Sequence, residues 1–419
     1  MAAALAAVML VLAGSTPALA AGNPMKLVGA LNPWRDGQFS NVAVDASRGI
    51  AYLGSYDDQG VAVISTADPT RPVLTDRLST AITSPQATSD SADLDLVGRY
   101  LAVSHQPWSD EGAFGGISIY DTAGEPRHPT LLRRIAVGGG GVHTVQLDPQ
   151  AAAGRPYAYA NSEHDFKTTI VNILTGAIVG SYVSPEPQGC ANPECSQFNF
   201  AHEGWIQRHP QSGRVLDYIS YWDSGLRIVD VTDPAHPVEV GSWDYPNADA
   251  QCCAHYAAPT PSGNSVYLED EIGVGDTGGV HVLDTSACDG TSYCTPHQVG
   301  YWHIPGHPVQ AGAYHGRGGP NEHGVIQRFF TWDAHNLDVR GENTLLVANY
   351  TAGVRLVDTS VKSDPVEVSF YLPNANKSEA CHQNCFFQGR ETWGAYFGAD
   401  GRVYASDFWL GFFVVQPPA

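Results

Sequence analysis

The apolar positions of this chain gather in short runs of β-branched and aromatic residues, and one such run recurs. A Gly followed by β-formers stands at Gly60-Val-Ala-Val-Ile-Ser65, Gly116-Ile-Ser-Ile-Tyr-Asp121, Gly225-Leu-Arg-Ile-Val-Asp230, Gly279-Val-His-Val-Leu-Asp284, Gly353-Val-Arg-Leu-Val-Asp358 and Gly411-Phe-Phe-Val-Val-Gln416. A worn seventh copy occupies Thr168 to Ile173. This is the pattern of a short buried strand, and its recurrence organises the whole sequence.

A polar turn, a Pro and another β phrase commonly follow, as in Asp233-Pro234-Ala235-His236-Pro237 leading into Val238 to Trp243. Asp-Pro presets φ and favours an Asx-type turn, so this is a strand-turn-strand corner. A second hairpin pattern spans Val44 to Tyr52, Ala258 to Tyr267 and Phe397 to Tyr404. Each repeat therefore holds four short strands, which is the content of a propeller blade. The expectation is an all-β, seven-bladed β-propeller, with repeats at 24–71, 72–128, 129–176, 177–236, 237–297, 298–364 and 365–419. Lys26 to Ala30 reads as a fourth strand and Gly411 to Val415 as a third. An N-terminal strand that completes the last blade would leave no exposed edge.

The phrase from Gly225 through Pro234 and Pro237 to Gly241 resembles the LVIVD-repeat family of secreted or surface β-propeller proteins. The motif is strong in repeats 1, 4 and 6, fair in 2, 5 and 7, and nearly lost in 3. The resemblance implies the propeller fold over essentially the whole mature chain. It implies no single activity, because a fold is not a function.

Composition adds three points. With 44 Gly, 28 Pro and only 16% charged residues, turn formers are dense, and helix interiors tolerate neither Gly nor Pro. With 22 Lys+Arg against 43 Asp+Glu the formal net charge is −21, which excludes a basic nucleic-acid binder. Residues 1–20 carry an apolar run too short to span a bilayer and end in Ala18-Leu19-Ala20, although they lack a Lys/Arg start. They read as a signal peptide, followed by a single domain at 21–419 with no transmembrane segment. A secreted or periplasmic monomer is expected.

The eight Cys fall in local couples: Cys190 with Cys195, Cys252 beside Cys253, Cys288 with Cys294, and Cys381 with Cys385. They suit an oxidising compartment. Pairing within couples closes small loops, while Cys252 and Cys253 reaching Cys190 and Cys195 is the alternative. No C-x₂-C pair supports a zinc ribbon.

Candidate chemistry comes from aligning the repeats. The start of each innermost strand faces the channel, and in repeats 3 to 6 this position holds His143, His202, His255 and His335. Asn41, Ala92-Asp93 and Glu391 to Trp393 stand near it in the others. Sixteen His in 419 residues would place fewer than one at seven chosen positions by chance. Innermost strands run side by side, so four imidazoles from consecutive blades are expected to converge on one point. Neutral imidazole binds Zn, Cu, Fe and Ni, and a transition metal ion (Cu, Fe or Zn) is the expected cofactor. The second strands end on the same face, bringing Glu163, His164, Asp223, Glu269, Asp270, Asn349 and Asp407 nearby as acceptors for the second ring N–H. Strand alternation turns Glu203 away and puts Asp333 on the His335 face. Trp393, with Trp222, Tyr256 and Phe408, would shape a pocket.

The plainer alternative is a wet channel whose polar groups serve only strand ends and water. Asp121, Asp230, Asp284 and Asp358 recur at the ends of third strands and read as turn caps. No Gly-x-Ser-x-Gly or His-Glu-x-x-His occurs, and the segment Pro305 to Arg328 would cover the channel as a lid. Two functions stay open. One is a metal-dependent oxidoreductase or oxygenase acting on a small molecule. The other is a non-catalytic scaffold that binds a protein or glycan, any metal being structural.

Overall fold

The recurring Gly sits where the chain must turn into the third strand of a blade with no side chain in the way. Gly60, Gly116, Gly225, Gly353 and Gly411 have φ of 81°, 147°, 73°, 77° and 87°. A Cβ on Gly225 would lie 2.5 Å from the Trp243 carbonyl oxygen, and one on Gly353 would lie 2.2 Å from that of Tyr371. The fourth strand therefore packs directly against the glycine backbone, and only Gly meets both demands.

The computed structural model describes residues 24–418 apart from 36, 58–59, 84–87, 108–111, 186–198, 246–252, 272–277, 305–332, 351 and 375–390. β1 (Lys26–Leu31) comes first and is placed last. Blade 1 is β2 (Phe39–Asp45), β3 (Ile50–Ser55), β4 (Val61–Ser65) and β5 (Val73–Leu78). Blade 2 is β6 (Leu94–Val97), β7 (Tyr100–His105), β8 (Gly116–Asp121) and β9 (Thr130–Ala136). Blade 3 is β10 (Thr144–Leu147), β11 (Tyr157–Ser162), β12 (Lys167–Asn172) and β13 (Ile178–Tyr182). Blade 4 is β14 (Ala201–Arg208), β15 (Val215–Tyr221), β16 (Gly225–Asp230) and β17 (Val238–Trp243). Blade 5 is β18 (Ala254–Pro259), β19 (Ser265–Asp270), β20 (Val280–Asp284) and β21 (His297–Trp302). Blade 6 is β22 (Ala334–Arg340), β23 (Thr344–Asn349), β24 (Gly353–Asp358) and β25 (Val366–Tyr371). β26 (Thr392–Phe397), β27 (Val403–Asp407) and β28 (Gly411–Gln416) form blade 7, which β1 completes by pairing with β28.

The protein is thus an all-β, seven-bladed propeller of four-stranded antiparallel sheets. The first strands of neighbouring blades touch all the way round, from β2 to β6 and on to β26, which returns to β2. Burial falls outward along each sheet. β15 is buried throughout, whereas β9 is exposed except at Ile135. The core lies between blades: Tyr218, Leu226 and Ile228 of blade 4 pack with Ala257, Val266 and Leu268 of blade 5.

The third-strand Asp residues cap turns, as expected. The backbone N–H groups of Ala123, Thr232, Ser286 and Ser360 donate to Asp121, Asp230, Asp284 and Asp358 at 2.8–2.9 Å. Cys288 and Cys294 form a disulfide, and Cys253 is disulfide-bonded too. Cys190, Cys195, Cys252, Cys381 and Cys385, the 1–20 segment and the Pro305 to Arg328 segment lie outside the described residues. No helix among the described residues is long and apolar enough to cross a membrane.

Two predictions follow from the buried charges of the blades. Arg355 and Glu367 are 1% and 7% exposed and pair at 3.1 Å. Arg355→Met strands the Glu367 carboxylate and should cost about 3–5 kcal/mol in urea unfolding, much of it recovered by adding Glu367→Leu. Asp217 on β15 is 1% exposed, its Oδ1 has no hydrogen-bond partner among the described residues, and burial pushes its pKa up to about 8. An unfolded Asp titrates near ~4, so between about pH 4 and pH 8 the folded state holds a proton that the unfolded state has lost. Stability conferred by the wild-type residue therefore falls as pH rises through that window. Asp217→Asn should flatten this slope, gaining on wild type at pH 8 relative to pH 5.

Candidate metal centre

Five of the seven innermost strands begin with a register shift. It lies between Phe39 and Val42, Ala201 and Glu203, Ala254 and Tyr256, Ala334 and Leu337, and Thr392 and Ala395. His202, His255, His335 and Trp393 occupy these bulges, which re-aim side chains that regular alternation would place elsewhere. A backbone bridge pins the same spot. In six of the seven blades the N–H of the residue after the second strand donates to a carbonyl two residues before this position: Tyr56 to Gln38, Gln106 to Asp90, Trp222 to Phe200, Glu271 to Cys253, Tyr350 to Asp333 and Phe408 to Glu391, all at 2.7–3.1 Å.

Two rings of equivalent positions result. The first holds Ser40, Ala92, His143, His202, His255, His335 and Trp393, and the second holds Tyr56, Gln106, Glu163, Trp222, Glu271, Tyr350 and Phe408.

The four His form an arc. Ring centroids lie 4.7 Å apart for His143 and His202, 4.2 Å for His202 and His255, and 4.0 Å for His255 and His335. Trp393 continues the arc 4.2 Å from His335. His143 Nδ1 donates to Gln106 Oε1 at 2.6 Å, and His335 Nδ1 donates to the Trp393 carbonyl at 2.7 Å. Neither acceptor can donate, so both rings carry the proton on Nδ1 and present the Nε2 lone pair. His255 Nδ1 lies 2.6 Å from Glu269 Oε1. His335 Nε2 and His202 Nδ1 are buried with no hydrogen-bond partner among the described residues. Burial, reinforced by the neighbouring imidazoles, holds the pKa of His202 and His255 well below the usual value; burial also takes His335 to about 3. These three rings are therefore neutral, as metal ligands must be.

Carboxylates complete the set. Ligand atoms of His143, Glu163 and His202 lie within 4.8 Å of one another, as do those of His202, Glu203 and His255, and those of His255, Glu271 and His335. Each group holds two imidazoles and one carboxylate. None among the described residues gathers three imidazoles, so the arc does not draw all four rings to one point as the repeat alignment suggested. Glu163 Oε1 is 3.5 Å from His143 Nε2, on the open side of the ring, and Gln106 Nε2 donates to Glu163 Oε2 at 3.3 Å. Glu203, expected to point away, joins a group because the bulge at His202 breaks the alternation. Burial, opposed by Tyr350 and reinforced by Glu163, raises Glu271 to about 7.

The remaining sequence candidates are placed as follows. Glu269 supports His255, and Trp393 supports His335 through its carbonyl. Asp270 binds Tyr245 and His281 instead. Asp407 accepts the backbone N–H groups of Glu391, Trp409 and Leu410, and Asp333 accepts that of Gly278. Asn349 and Asp223 are buried at the strand end and the turn of their blades, and His164 packs on Gly140. Gln106 and Glu271 escaped the sequence reading by one residue: the end of the second strand was taken as the facing position, whereas the residue after it faces the site.

Beneath the arc the channel opens into a cavity of about 320 Å³ lined by Asn41, Asp93, Gln146, Glu203, Tyr256 and Tyr396, among others. A chain of side-chain hydrogen bonds runs round it. Asn336 donates to Tyr396, Tyr396 to Asn41 and Asn41 to Asp93, while Gln146 donates to both Asp93 and Glu203. This belt gives the arc a fixed floor.

Removing the His143 acceptor should loosen the centre without touching a ligand. Gln106→Leu is expected to lower Zn²⁺ affinity by about tenfold to a hundredfold in a chelator competition titration.

Comparison with known proteins bears on the fold. No curated protein matches the chain. The LVIVD repeat matches residues 217–245, the span from Asp217 of β15 through β16 and β17 to Tyr245. The match holds the Gly225 entrance, the Asp230 cap and the Asp233-Pro234 corner of blade 4, features that recur in part in the other blades, so this chain is a seven-bladed β-propeller carrying the LVIVD repeat.

Proposed function

We propose that this protein binds transition metal at the His143, His202, His255 and His335 arc and uses it in an oxidoreductase reaction on a small molecule outside the cytoplasm. The observation that carries the reading is His335: its proton is held on Nδ1 by a carbonyl, and its Nε2 lone pair is buried with no hydrogen-bond partner among the described residues. Buried polar atoms are mostly paired, so an unpaired lone pair grouped with the His255 imidazole and the Glu271 carboxylate, at the end of an arc of two further imidazoles, favours a cation.

The residues fit such an ion. Imidazole suits Cu, Fe and Zn alike, and the redox reading requires Cu or Fe. When bound, the metal supplies open coordination positions for O₂ or substrate; the protein supplies the walls. Tyr56, Trp393 and Phe408 form one aromatic side, with centroids 5.3–5.9 Å apart. That surface favours a substrate with an apolar portion. The Cys288 to Cys294 disulfide supports an oxidising compartment.

The test is metal content of untagged protein purified from the secreted or periplasmic fraction. Near-stoichiometric Cu or Fe, lost in His255→Ala and His335→Ala, together with O₂ uptake in the presence of thiols or alkenes, is the expected result. A metal-free protein whose stability is unchanged in both variants would sink the proposal. Bound metal without any turnover would leave a scaffold that recognises a protein or glycan.

A further inference from the structure

We infer that the arc holds two divalent transition-metal ions, one between His143, Glu163 and His202 and the other between His255, Glu271 and His335. This rests on the reading that the arc binds metal, and it replaces one four-imidazole ion by a pair.

The first argument is distance. Ligand atoms on one ion at about 2.0–2.2 Å can be no more than about 4.4 Å apart. The two groups have all their ligand atoms within 4.8 Å of one another, so a few tenths of an ångström of closure suffices. No group of ligand atoms within 4.8 Å of one another among the described residues includes three of the imidazoles, so a single ion serving all four would have to draw them closer. The bulges and backbone bridges that position His202, His255 and His335 resist that movement.

The second argument is repetition. Blade 3 supplies His143 with Glu163, and blade 4 supplies His202 with Trp222 at the equivalent second-ring position. Blade 5 then supplies His255 with Glu271, and blade 6 supplies His335 with Tyr350. The aromatic neighbour lies 5.0 Å from the second imidazole in one module and 5.1 Å in the other. The same donor set therefore recurs two blades further round, and each imidazole is used once. Each module also contains one buried imidazole nitrogen without a hydrogen-bond partner among the described residues, His202 Nδ1 in the first and His335 Nε2 in the second.

The third argument concerns what lies between the modules. His202 and His255, one from each module, are neighbours with ring centroids 4.2 Å apart. Glu203 falls within 4.8 Å of ligand atoms on both. One carboxylate thus lies near one imidazole from each module, the position of a bridge. Two imidazoles and one carboxylate per ion leave open positions for a small molecule bound between the pair.

The test loads metal-free, full-length protein with Zn²⁺ or Cu²⁺ and counts bound equivalents by elemental analysis after gel filtration, alongside the thermal unfolding of each metal-free variant. The expected result is two equivalents in wild type, one in Glu163→Gln, one in Glu271→Gln and one in His335→Gln. Copper-loaded wild type should show spin-coupled Cu²⁺, and each single-ion variant an isolated signal. One equivalent in wild type that persists in both Glu variants and vanishes in His335→Gln overturns the pair while leaving the metal reading intact. No bound metal at all overturns both. Should one Glu variant fail to fold, the other and His335→Gln read the same question.

Discussion

β1 pairs with β28 from Lys26 opposite Gln416 to Leu31 opposite Phe412, and every other feature depends on that ladder. It joins the first residues to the last, so its loop-closure entropy must be met before any blade is fully packed. With it in place the ring has no open sheet edge at the junction, and Met25 packs with Phe413 and Val415 against Leu346 and Val354 of blade 6. Only a closed ring brings seven equivalent strand starts to one axis. The imidazole arc follows from this arrangement, since residues as far apart in the chain as His143 and His335 come onto one arc only through the packing of successive blades.

Crowding polar groups at the axis has a cost that the surrounding side chains offset. Asp93, Glu203, Glu271 and the imidazoles are all buried, and desolvation pushes the carboxyl groups up and His202, His255 and His335 down. Neutrality removes the larger part of the burial penalty. The belt from Asn336 to Glu203 supplies partners for most of what remains. His202 Nδ1 and His335 Nε2 remain among the buried atoms without a hydrogen-bond partner among the described residues, as do Asn336 Oδ1 and Glu269 Oε2 beside them.

The two sides of this channel end differ in chemistry. Blades 3 to 6 contribute imidazoles and carboxylates, whereas Tyr56, Trp393 and Phe408 of blades 1 and 7 stack among themselves. Since the backbone frame is the same in every blade, this division arises from side chains alone, and the fold places no chemistry of its own there.

The repeats determined much without any coordinates. Six Gly-led strands and a worn seventh copy, the Asp-Pro corners and the unpaired phrases at the two ends specify seven four-stranded blades closed by an N-terminal strand, because hydrophobic period and turn residues are local properties of the chain. The four His were also legible, each standing at the same point of its repeat. What only the tertiary structure decided was register at single-residue precision. Glu163 and Glu271 face the centre while Asp270 and Asp407 bind elsewhere; Glu203 turns inward beside His202; Gln106, from a blade without a ligand, orients His143. The reason is the two-residue period of a strand, in which a slip of one residue reverses the side a residue faces. The bulge that makes such a slip at the start of an innermost strand leaves no mark in the sequence, because it is set by the neighbouring strands and not by the residues it displaces.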